Sequence, residues 1–226
     1  MRCATAGFAS KSLTVSDFSA VLPPRQTLRD VAAWFAAAGV RWVLIGGVAS
    51  AFLGRPRVTK DVDVVVLAGN EDIKHLLAVG ATHGFSPRLS DSAALARERR
   101  VLLVDHQPSG VGVDVSLGVL PFEKEMVARA TQAEIAGIAL PLPSREDLII
   151  MKAVAHRPID LHDIDGILDV HPNVDAKRIR YWVGEFARVL EMPEILADVH
   201  AILTRHRRRP AKRRPSAKRS KSSRGG

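Results

Sequence analysis

Cysteine is nearly absent from this sequence, which contains only Cys3 among its 226 residues. A single cysteine excludes an intramolecular disulfide and a zinc site built from cysteines. Such cysteine usage is typical of proteins of the reducing cytoplasm, and we expect a cytoplasmic localisation. No apolar run approaches the ~20 residues that a membrane-spanning helix requires. We therefore predict that the protein has no membrane partner.

Acidic residues are absent from residues 205–226, which contain 11 of the 33 lysines and arginines. The net charge of +9 belongs to this segment, because residues 1–204 carry 22 basic and 24 acidic side chains, a net charge of −2. The segment has no aliphatic side chain larger than alanine, so we predict a disordered tail. It is interpreted either as a solubilising extension or as an electrostatic attachment to tRNA or another RNA, without base specificity because it has no aromatic residue.

The chain divides by pattern into four segments. Residues 1–23 are expected to form an irregular leader, although a serine-rich and acid-poor composition also resembles an organelle transit peptide. Runs of β-branched residues alternate with helical periodicity over residues 24–142, which predicts a mixed α/β core. Helical periodicity alone continues over residues 143–204 and predicts a C-terminal helical bundle. The predicted fold is therefore α+β, a mixed sheet with flanking helices followed by this bundle and by the tail at 205–226.

The predicted strands are apolar runs rich in β-branched residues. They cover residues 41–45, 61–67, 101–104 and 111–117, with a short hairpin over 135–142. The predicted helices have apolar residues spaced three and four apart. They cover residues 26–38, 48–53, 71–79, 122–130, 144–155, 159–170, 176–189 and 193–205. Ser144, with Asp147 three residues later, predicts an N-cap at the start of the helical half.

The chemically informative stretch is residues 42–66, WVLIGGVASAFLGRPRVTKDVDVVV. A predicted strand runs into Gly46 and Gly47, a short helix follows, and the next strand begins with Asp61 and Asp63. Glycines let a ligand approach the backbone, and the amide groups at a helix start bind phosphate. Residues two apart on a strand share a face, so the two carboxylates are neighbours suited to Mg²⁺. Each motif alone is common by chance, but their combination indicates a metal and nucleotide site.

This stretch resembles the active-site motif of the DNA polymerase β-like nucleotidyltransferase superfamily, and within it the AbiEii/MenT-type toxin-like nucleotidyltransferases. The family pattern is Gly-Gly or Gly-Ser followed by Asp-x-Asp, after a loop slightly shorter than the 13 residues between Gly47 and Asp61. Gly47 stands where serine is common, which removes a hydroxyl that would touch phosphate. The resemblance implies an enzyme that transfers a nucleoside monophosphate from an NTP to an acceptor hydroxyl, using one or two Mg²⁺ ions.

The resemblance also implies a third carboxylate on a later strand. Asp114 is the candidate, because it interrupts the valine-rich strand over 111–117, which a sheet would bring beside the strand of Asp61. Asp105 is the alternative, although it lies at a strand end before a turn, where acids are common. Asp61, Asp63 and Asp114 are therefore the predicted metal ligands.

In the helical half, residues 148–165 (LIIMKAVAHRPIDLHDID) resemble a second signature of the same enzymes, a lysine followed by an acid-rich helix. By this resemblance Lys152 contacts the triphosphate, with help from Arg157. Asp163 or Asp165 orients these cations or activates the attacking hydroxyl. The predicted catalytic residues are Asp61, Asp63, Asp114, Lys152 and Asp163, and the predicted nucleotide-binding residues are Gly46, Gly47, Arg57, Thr59, Lys152 and Arg157.

Several alternatives remain open at the level of the sequence. The resemblance favours a tRNA end as acceptor and a neutralising antitoxin as partner, whereas an antibiotic or a protein hydroxyl would be a different acceptor. A non-catalytic relative that binds nucleotide or RNA is the alternative to an enzyme. An HD-type metal phosphohydrolase would use His156, His162 and Asp163, but its all-helical fold does not suit the β-rich first half. The motifs of zinc proteases, serine hydrolases and P-loop enzymes are absent from the sequence.

Overall fold

The computed structural model describes residues 21–208, and a five-stranded mixed sheet lies at its centre. The strands are β1 (Trp42–Leu44), β2 (Val62–Val66), β3 (Phe85–Pro87), β4 (Val101–His106) and β5 (Val111–Leu117). Their order across the sheet is β1-β2-β5-β4-β3. Strands β2 and β5 run parallel, and the other neighbouring strands run antiparallel. A separate two-stranded sheet pairs β6 (Thr131–Ile135) with β7 (Ile138–Leu142).

Helices cover the sheet and then form the second half of the chain. Those of the first half are α1 (Arg25–Ala37), α2 (Gly46–Leu53), α3 (Ile73–Thr82), α4 (Ser92–Arg99) and α5 (Pro121–Arg129). A short 3-10 turn (Asn70–Asp72) leads into α3. Those of the second half are α6 (Arg145–Ala155), α7 (Pro158–Val170), α8 (Ala176–Val189) and α9 (Pro193–Arg208). Helices α6 and α7 pack against α2, so the helical half lies beside the Gly-Gly motif. The predicted α+β fold is confirmed.

The interior position of β2, between β1 and β5, accounts for its composition. Val62, Val64, Val65 and Val66 are all fully buried, and because alternate residues of a strand point to opposite faces, β2 buries apolar side chains on both of its faces. Asp63 is the half-buried exception within this strand. Partial burial among valines is unfavourable for a carboxylate unless the group is paired or hydrogen-bonded. Among residues 21–208, no helix is long and apolar enough to cross a membrane.

Most predicted elements occur within a few residues of the expected positions. The N-cap is confirmed, because the Asp147 amide donates to Ser144 Oγ at 3.1 Å. Helix α2 begins at Gly46, two residues before the predicted start, while β3 and α4 have no counterpart in the prediction.

The start of the tail differs from its expected position. Helix α9 continues to Arg208, past residue 205, where the disordered tail was expected to begin. Arg205 Nη2 donates to Asp165 Oδ1 at 2.6 Å, and His206 Nε2 lies 2.8 Å from the same oxygen. These contacts with α7 extend the helix. Most of the predicted leader and tail, residues 1–20 and 209–226, lies outside the described residues.

Candidate active site

The two parallel strands bring three predicted acids to one face of the sheet. Asp63 of β2 and Asp114 of β5 are register partners, so their side chains point to the same face from neighbouring strands. Asp61 lies two residues before Asp63 and therefore shares this face. A Cβ placed on Gly112 of β5 would lie 3.2 Å from Asp61 Oδ1, which shows that the Asp61 carboxylate reaches over β5. The predicted metal ligands thus form one cluster.

The cluster changes the acidity of its central member. Burial raises the pKa of Asp63 above its usual value, and repulsion from Asp114 and Asp61 raises it further. The Gly47 amide, which lies 3.4 Å from Asp63 Oδ2, and the charge of Lys152 act in the opposite direction. Mutual repulsion of this kind is relieved by a cation, and carboxylate oxygens are the hard ligands that Mg²⁺ prefers. The chemistry of these oxygens therefore suits a divalent ion, although the side chains of residues 21–208 are not arranged as a metal-binding group of three or more.

The Gly-Gly turn is shaped around these acids. Gly46 has φ of +62°, a left-handed conformation that favours glycine, and a Cβ there would overlap the Asp63 carboxylate. A Cβ at Gly47 would overlap the Thr59 hydroxyl. The space that Thr59 occupies thus leaves no room for a larger side chain at position 47. The absence of side chains at Gly46 and Gly47 lets the N-terminus of α2 lie close to the Asp63 carboxylate, whose Oδ2 is 3.4 Å from the Gly47 amide.

The loop between α2 and β2 folds back onto this turn. Thr59 lies against Gly47, and its hydroxyl donates to the Asp61 carbonyl at 3.3 Å. Arg57 also lies close to Gly47, since a Cβ at Gly47 would be 3.4 Å from Arg57 Nη2. The Thr59 amide also donates to the Val21 carbonyl at 2.9 Å, which ties the loop to the segment before α1. The predicted nucleotide-binding residues of the first half therefore lie together.

A buried ion network connects this loop to the helical half. Lys152 of α6 is only 4% exposed, and its Nζ lies 2.8 Å from Asp160 Oδ1 and 2.9 Å from Asp163 Oδ2. Arg57 donates to both oxygens of Asp163, at 2.9 and 3.0 Å. Lys152 is also among the charges that lower the pKa of Asp63. The network thus lies beside the carboxylate cluster, with the Lys152 ammonium held inside it.

Asp160 is a member of this network that the sequence analysis missed. Its side chain is fully buried, and it accepts from Lys152 and from Arg157 Nε, the latter at 2.6 Å. Burial alone would raise the pKa of Asp160, but hydrogen bonds from Arg157 and Lys152 outweigh it and lower the pKa. Arg157 keeps an exposed side chain, and the charge of Asp63 is among the smaller causes that raise its pKa. The available signal was Asp160 three residues after Arg157, the spacing of a helix cap.

The two alternative acids of the second signature separate in space. Asp163 lies in the network, whereas Asp165 on the same helix binds Arg205 and His206 of α9. The HD-type alternative is also not assembled, because His156 lies 3.1 Å from Asp198 while Asp163 is bound to Lys152. Within residues 21–208, no group of three or more histidine, cysteine, aspartate or glutamate side chains is already arranged as a metal site.

Arg88 is the second residue that the sequence analysis missed. Its Nη2 donates to Asp114 Oδ1 at 3.1 Å and its Nε to Asp105 Oδ1 at 3.0 Å. Asp105, the alternative third acid, lies opposite Gly112 in the pairing of β4 with β5. Asp105 and Asp114 therefore share one arginine. No local pattern marks Arg88, because it follows the three-residue strand β3, which the sequence did not predict.

Comparison with known protein families gives the class of this protein independently of the site. The chain matches the family model described as nucleotidyl transferase AbiEii toxin, type IV toxin–antitoxin system, over residues 28–218. Since this match covers most of the chain, the protein belongs to the AbiEii nucleotidyltransferase family and is a nucleotidyltransferase.

The solved structures that are similar to this chain include the following three. An antigenic nucleotidyltransferase-like protein from Paracoccidioides brasiliensis is 16% identical with a TM-score of 0.49, covering 78% of this chain and 92% of that chain. The lincosamide antibiotic adenylyltransferase LnuA, lincomycin-bound, is 13% identical with a TM-score of 0.47, covering 66% and 98%. ANT(2″)-Ia in complex with adenylyl-2″-tobramycin is 18% identical with a TM-score of 0.42, covering 80% and 98%. These likenesses are too distant to indicate a substrate. No curated protein matches the chain.

Proposed function

We propose that the protein is a Mg²⁺-dependent toxin of the cytoplasm that transfers a nucleoside monophosphate from an NTP to a hydroxyl of tRNA or another RNA. The observation that supports this most is the register pairing of Asp63 with Asp114, directly beside the Gly46 turn. The family description adds a partner, because a type IV toxin–antitoxin system includes an antitoxin. A cognate antitoxin is therefore part of the proposal.

Asp61, Asp63 and Asp114 would hold the divalent ion. Their carboxylates share one face of the sheet, and their mutual repulsion is expressed in the raised pKa of Asp63. A bound Mg²⁺ would neutralise triphosphate oxygens and the charge that develops during an in-line displacement. The Asp114 side chain is 39% exposed, so an acceptor can reach it. Asp114 is the proposed proton acceptor for the hydroxyl that attacks the α-phosphorus as pyrophosphate leaves.

The nucleotide would lie between the start of α2 and the buried network. Gly46 and Gly47 leave room for phosphate oxygens next to the backbone amide groups of α2. Arg57 and Thr59 flank this space from the neighbouring loop. A triphosphate carries several negative charges, so the site must also supply positive charge.

The ion network supplies this positive charge. It contains the three cations Lys152, Arg57 and Arg157 and the two carboxylates Asp160 and Asp163, a net charge of +1. The two carboxylates fix the cations in position, which avoids reorganisation when the triphosphate binds. Lys152 contributes through its charge, while the more exposed Arg57 and Arg157 would make the direct contacts with phosphate.

An RNA acceptor is supported by the distribution of basic residues. Helix α9 ends with Arg205, Arg207 and Arg208, and residues 209–226 add eight further lysines and arginines. Asp165 binds Arg205, so the end of α9 lies against α7, the helix that carries Asp163. A polyanion bound to these basic residues releases counterions from its phosphates. The basic segment thus begins on a helix that packs against α7, and Asp163 on another part of α7 belongs to the proposed site.

Label transfer tests this proposal. The purified protein is incubated with Mg²⁺, total tRNA and each α-labelled NTP in turn, beside Asp63→Asn and the matched control Asp198→Asn, whose carboxylate is exposed and pairs with His156. We expect labelled tRNA with the parent and the control and none with Asp63→Asn. Transfer that is undiminished in Asp63→Asn would overturn the assigned site, and absence of labelled RNA with every NTP would overturn the RNA acceptor.

A further inference from the structure

Arg88 lies in a fixed position above the acidic face of the sheet. Its Nε donates to Asp105 Oδ1 at 3.0 Å, and its Nη2 donates to Asp114 Oδ1 and to the Val104 carbonyl, both at 3.1 Å. The Arg88 amide also donates to the Leu103 carbonyl at 3.0 Å, which extends the pairing of β3 with β4. A planar guanidinium with several charge-assisted hydrogen bonds has little freedom to move. The positive charge of Arg88 is therefore a permanent part of this face.

Gly112 provides the space that Arg88 occupies. A Cβ at Gly112 would lie 2.5 Å from Arg88 Nη2 and 3.2 Å from Asp61 Oδ1. The guanidinium and the Asp61 carboxylate thus approach the same point above β5, and Arg88 binds the acids of the two neighbouring strands β4 and β5. Any larger residue at position 112 would displace one of these two groups.

The side chains on this face of the sheet carry a net negative charge. Asp61, Asp63, Asp105 and Asp114 contribute four negative charges, and Arg88 contributes one positive charge. One divalent ion reduces the remaining charge of −3 to −1. A second divalent ion placed beside Asp105 and Asp114 would compete with Arg88 for the oxygens that Arg88 already binds, and it would be repelled by the guanidinium at short range.

We propose that Arg88 takes the place of a second divalent ion beside Asp105 and Asp114, so that the site binds one divalent ion per chain. Asp61, Asp63 and the Asp114 oxygen that does not bind Arg88 hold this ion. Arg88 is in this sense a positioning residue, since it orients Asp114 and determines the number of ions rather than contacting the reacting atoms. The inference rests on the metal site of the proposed function.

The test counts bound ions with Mn²⁺ as the probe. Free Mn²⁺ is measured by electron paramagnetic resonance during titration of the full-length protein without nucleotide. We expect one bound ion per chain for the parent and for Arg88→Lys, which keeps a cation, and two for Arg88→Met. Arg99→Met is the matched control, because Arg99 is exposed and pairs with its neighbour Glu98; it is expected to bind one ion.

The outcomes separate this inference from the metal site itself. Two ions in the parent, or one ion in Arg88→Met, would overturn the inference. If the parent binds one ion that is lost in Asp63→Asn but Arg88→Met still binds one, the metal site stands and the role of Arg88 fails. If the parent binds no Mn²⁺, both fail. Arg88→Gln, which keeps an amide donor without the charge, replaces Arg88→Met if the latter does not fold, as judged by circular dichroism, and is also expected to bind two ions.

Discussion

Arg57 binds Asp163 through two parallel hydrogen bonds of 2.9 and 3.0 Å, and this ion pair joins the loop between α2 and β2 to helix α7. The Asp163 side chain is 4% exposed and also lies 2.9 Å from Lys152 Nζ. One carboxylate therefore fixes two cations that come from different halves of the chain. Removal of its charge would affect both stability and phosphate binding.

Asp163→Asn is predicted to destabilise the fold by about 3–5 kcal/mol, because Lys152 and Arg57 would lose the negative charge that they bind. Urea unfolding of the parent and the variant measures this loss. Asp165→Asn is the control on the same helix, since the Asp165 side chain is 29% exposed and binds His206 and exposed Arg205 but neither Lys152 nor Arg57. Its loss is expected to be about 1 kcal/mol or less. Equal losses for the two variants would contradict the special position of Asp163.

Gly46→Ala is predicted to abolish label transfer and to destabilise the protein by more than the ~1–2 kcal/mol of left-handed strain alone. The additional cost arises because a Cβ at Gly46 overlaps the Asp63 carboxylate. Gly39→Ala separates the two effects, since Gly39 has φ of +66° but no atom within 4 Å of its added Cβ. Thermal unfolding and transfer assays should therefore show strain only for Gly39→Ala. If Gly46→Ala and Gly39→Ala lost activity to a similar extent, overlap with the Asp63 carboxylate would not be the cause of the loss in Gly46→Ala.

Gly47→Ser, which introduces the serine common in related motifs, is predicted to impair both stability and transfer. The new side chain would collide with Thr59. The double variant Gly47→Ser, Thr59→Gly removes the obstacle and should unfold at a higher urea concentration than Gly47→Ser alone. If Gly47→Ser is as stable as the parent, Thr59 does not determine the residue at position 47.

The stability of the protein should depend on the protonation of Asp160. Because its folded-state pKa is lowered by Arg157 and Lys152 after the opposing effect of burial, the ionised carboxylate stabilises the fold above its unfolded pKa of about 3.9. This contribution is lost as the pH falls through the lower folded-state pKa. The difference in unfolding free energy between the parent and Asp160→Asn, measured by urea at several pH values, should be constant near pH 7 and shrink below about pH 4. A difference that grows on acidification would contradict this assignment.

The contribution of the basic tail is testable by truncation after Arg208, where α9 ends. Removal of residues 209–226 is predicted to weaken RNA binding and to reduce the dependence of log K on log salt concentration by about 0.7–0.9 per lost phosphate contact. The control keeps the length of the segment but replaces its eight basic residues with glutamine, and it should behave like the truncation. Unchanged affinity and salt dependence would rule out the electrostatic attachment.

Local patterns were sufficient to predict β2, the Gly-Gly turn and the acids Asp61 and Asp63. Valine runs and glycine pairs act on the nearest neighbours in the chain, so their effect is visible in the sequence. The pairing of Asp63 with Asp114 is different, because a parallel register depends on the crossover through the intervening elements. Asp114 was selected by the resemblance and by its position within an apolar strand, and the structure brings it beside Asp63.

The residues that were missed depend on contacts between distant parts of the chain. Arg88 reaches Asp114 from β3, which has three residues and contains Pro87, too little for a strand pattern. The composition of the last turn of α9 predicted disorder. In the structure, however, Arg205 donates a hydrogen bond to Asp165, which lies forty residues earlier in the chain. Tertiary contacts of this kind override local propensity, and a single sequence does not display them.

The most direct test of the account is removal and return of the metal during nucleotidyl transfer. Label from the accepted α-labelled NTP is followed into total tRNA with Mg²⁺, after chelation with EDTA, and after Mg²⁺ is restored, for the parent and Asp63→Asn. The account predicts transfer that stops with EDTA, returns with Mg²⁺, and is lowered about a hundredfold or more in Asp63→Asn. Transfer that persists in EDTA, or that Asp63→Asn performs as well as the parent, would contradict a metal-dependent site at Asp61, Asp63 and Asp114.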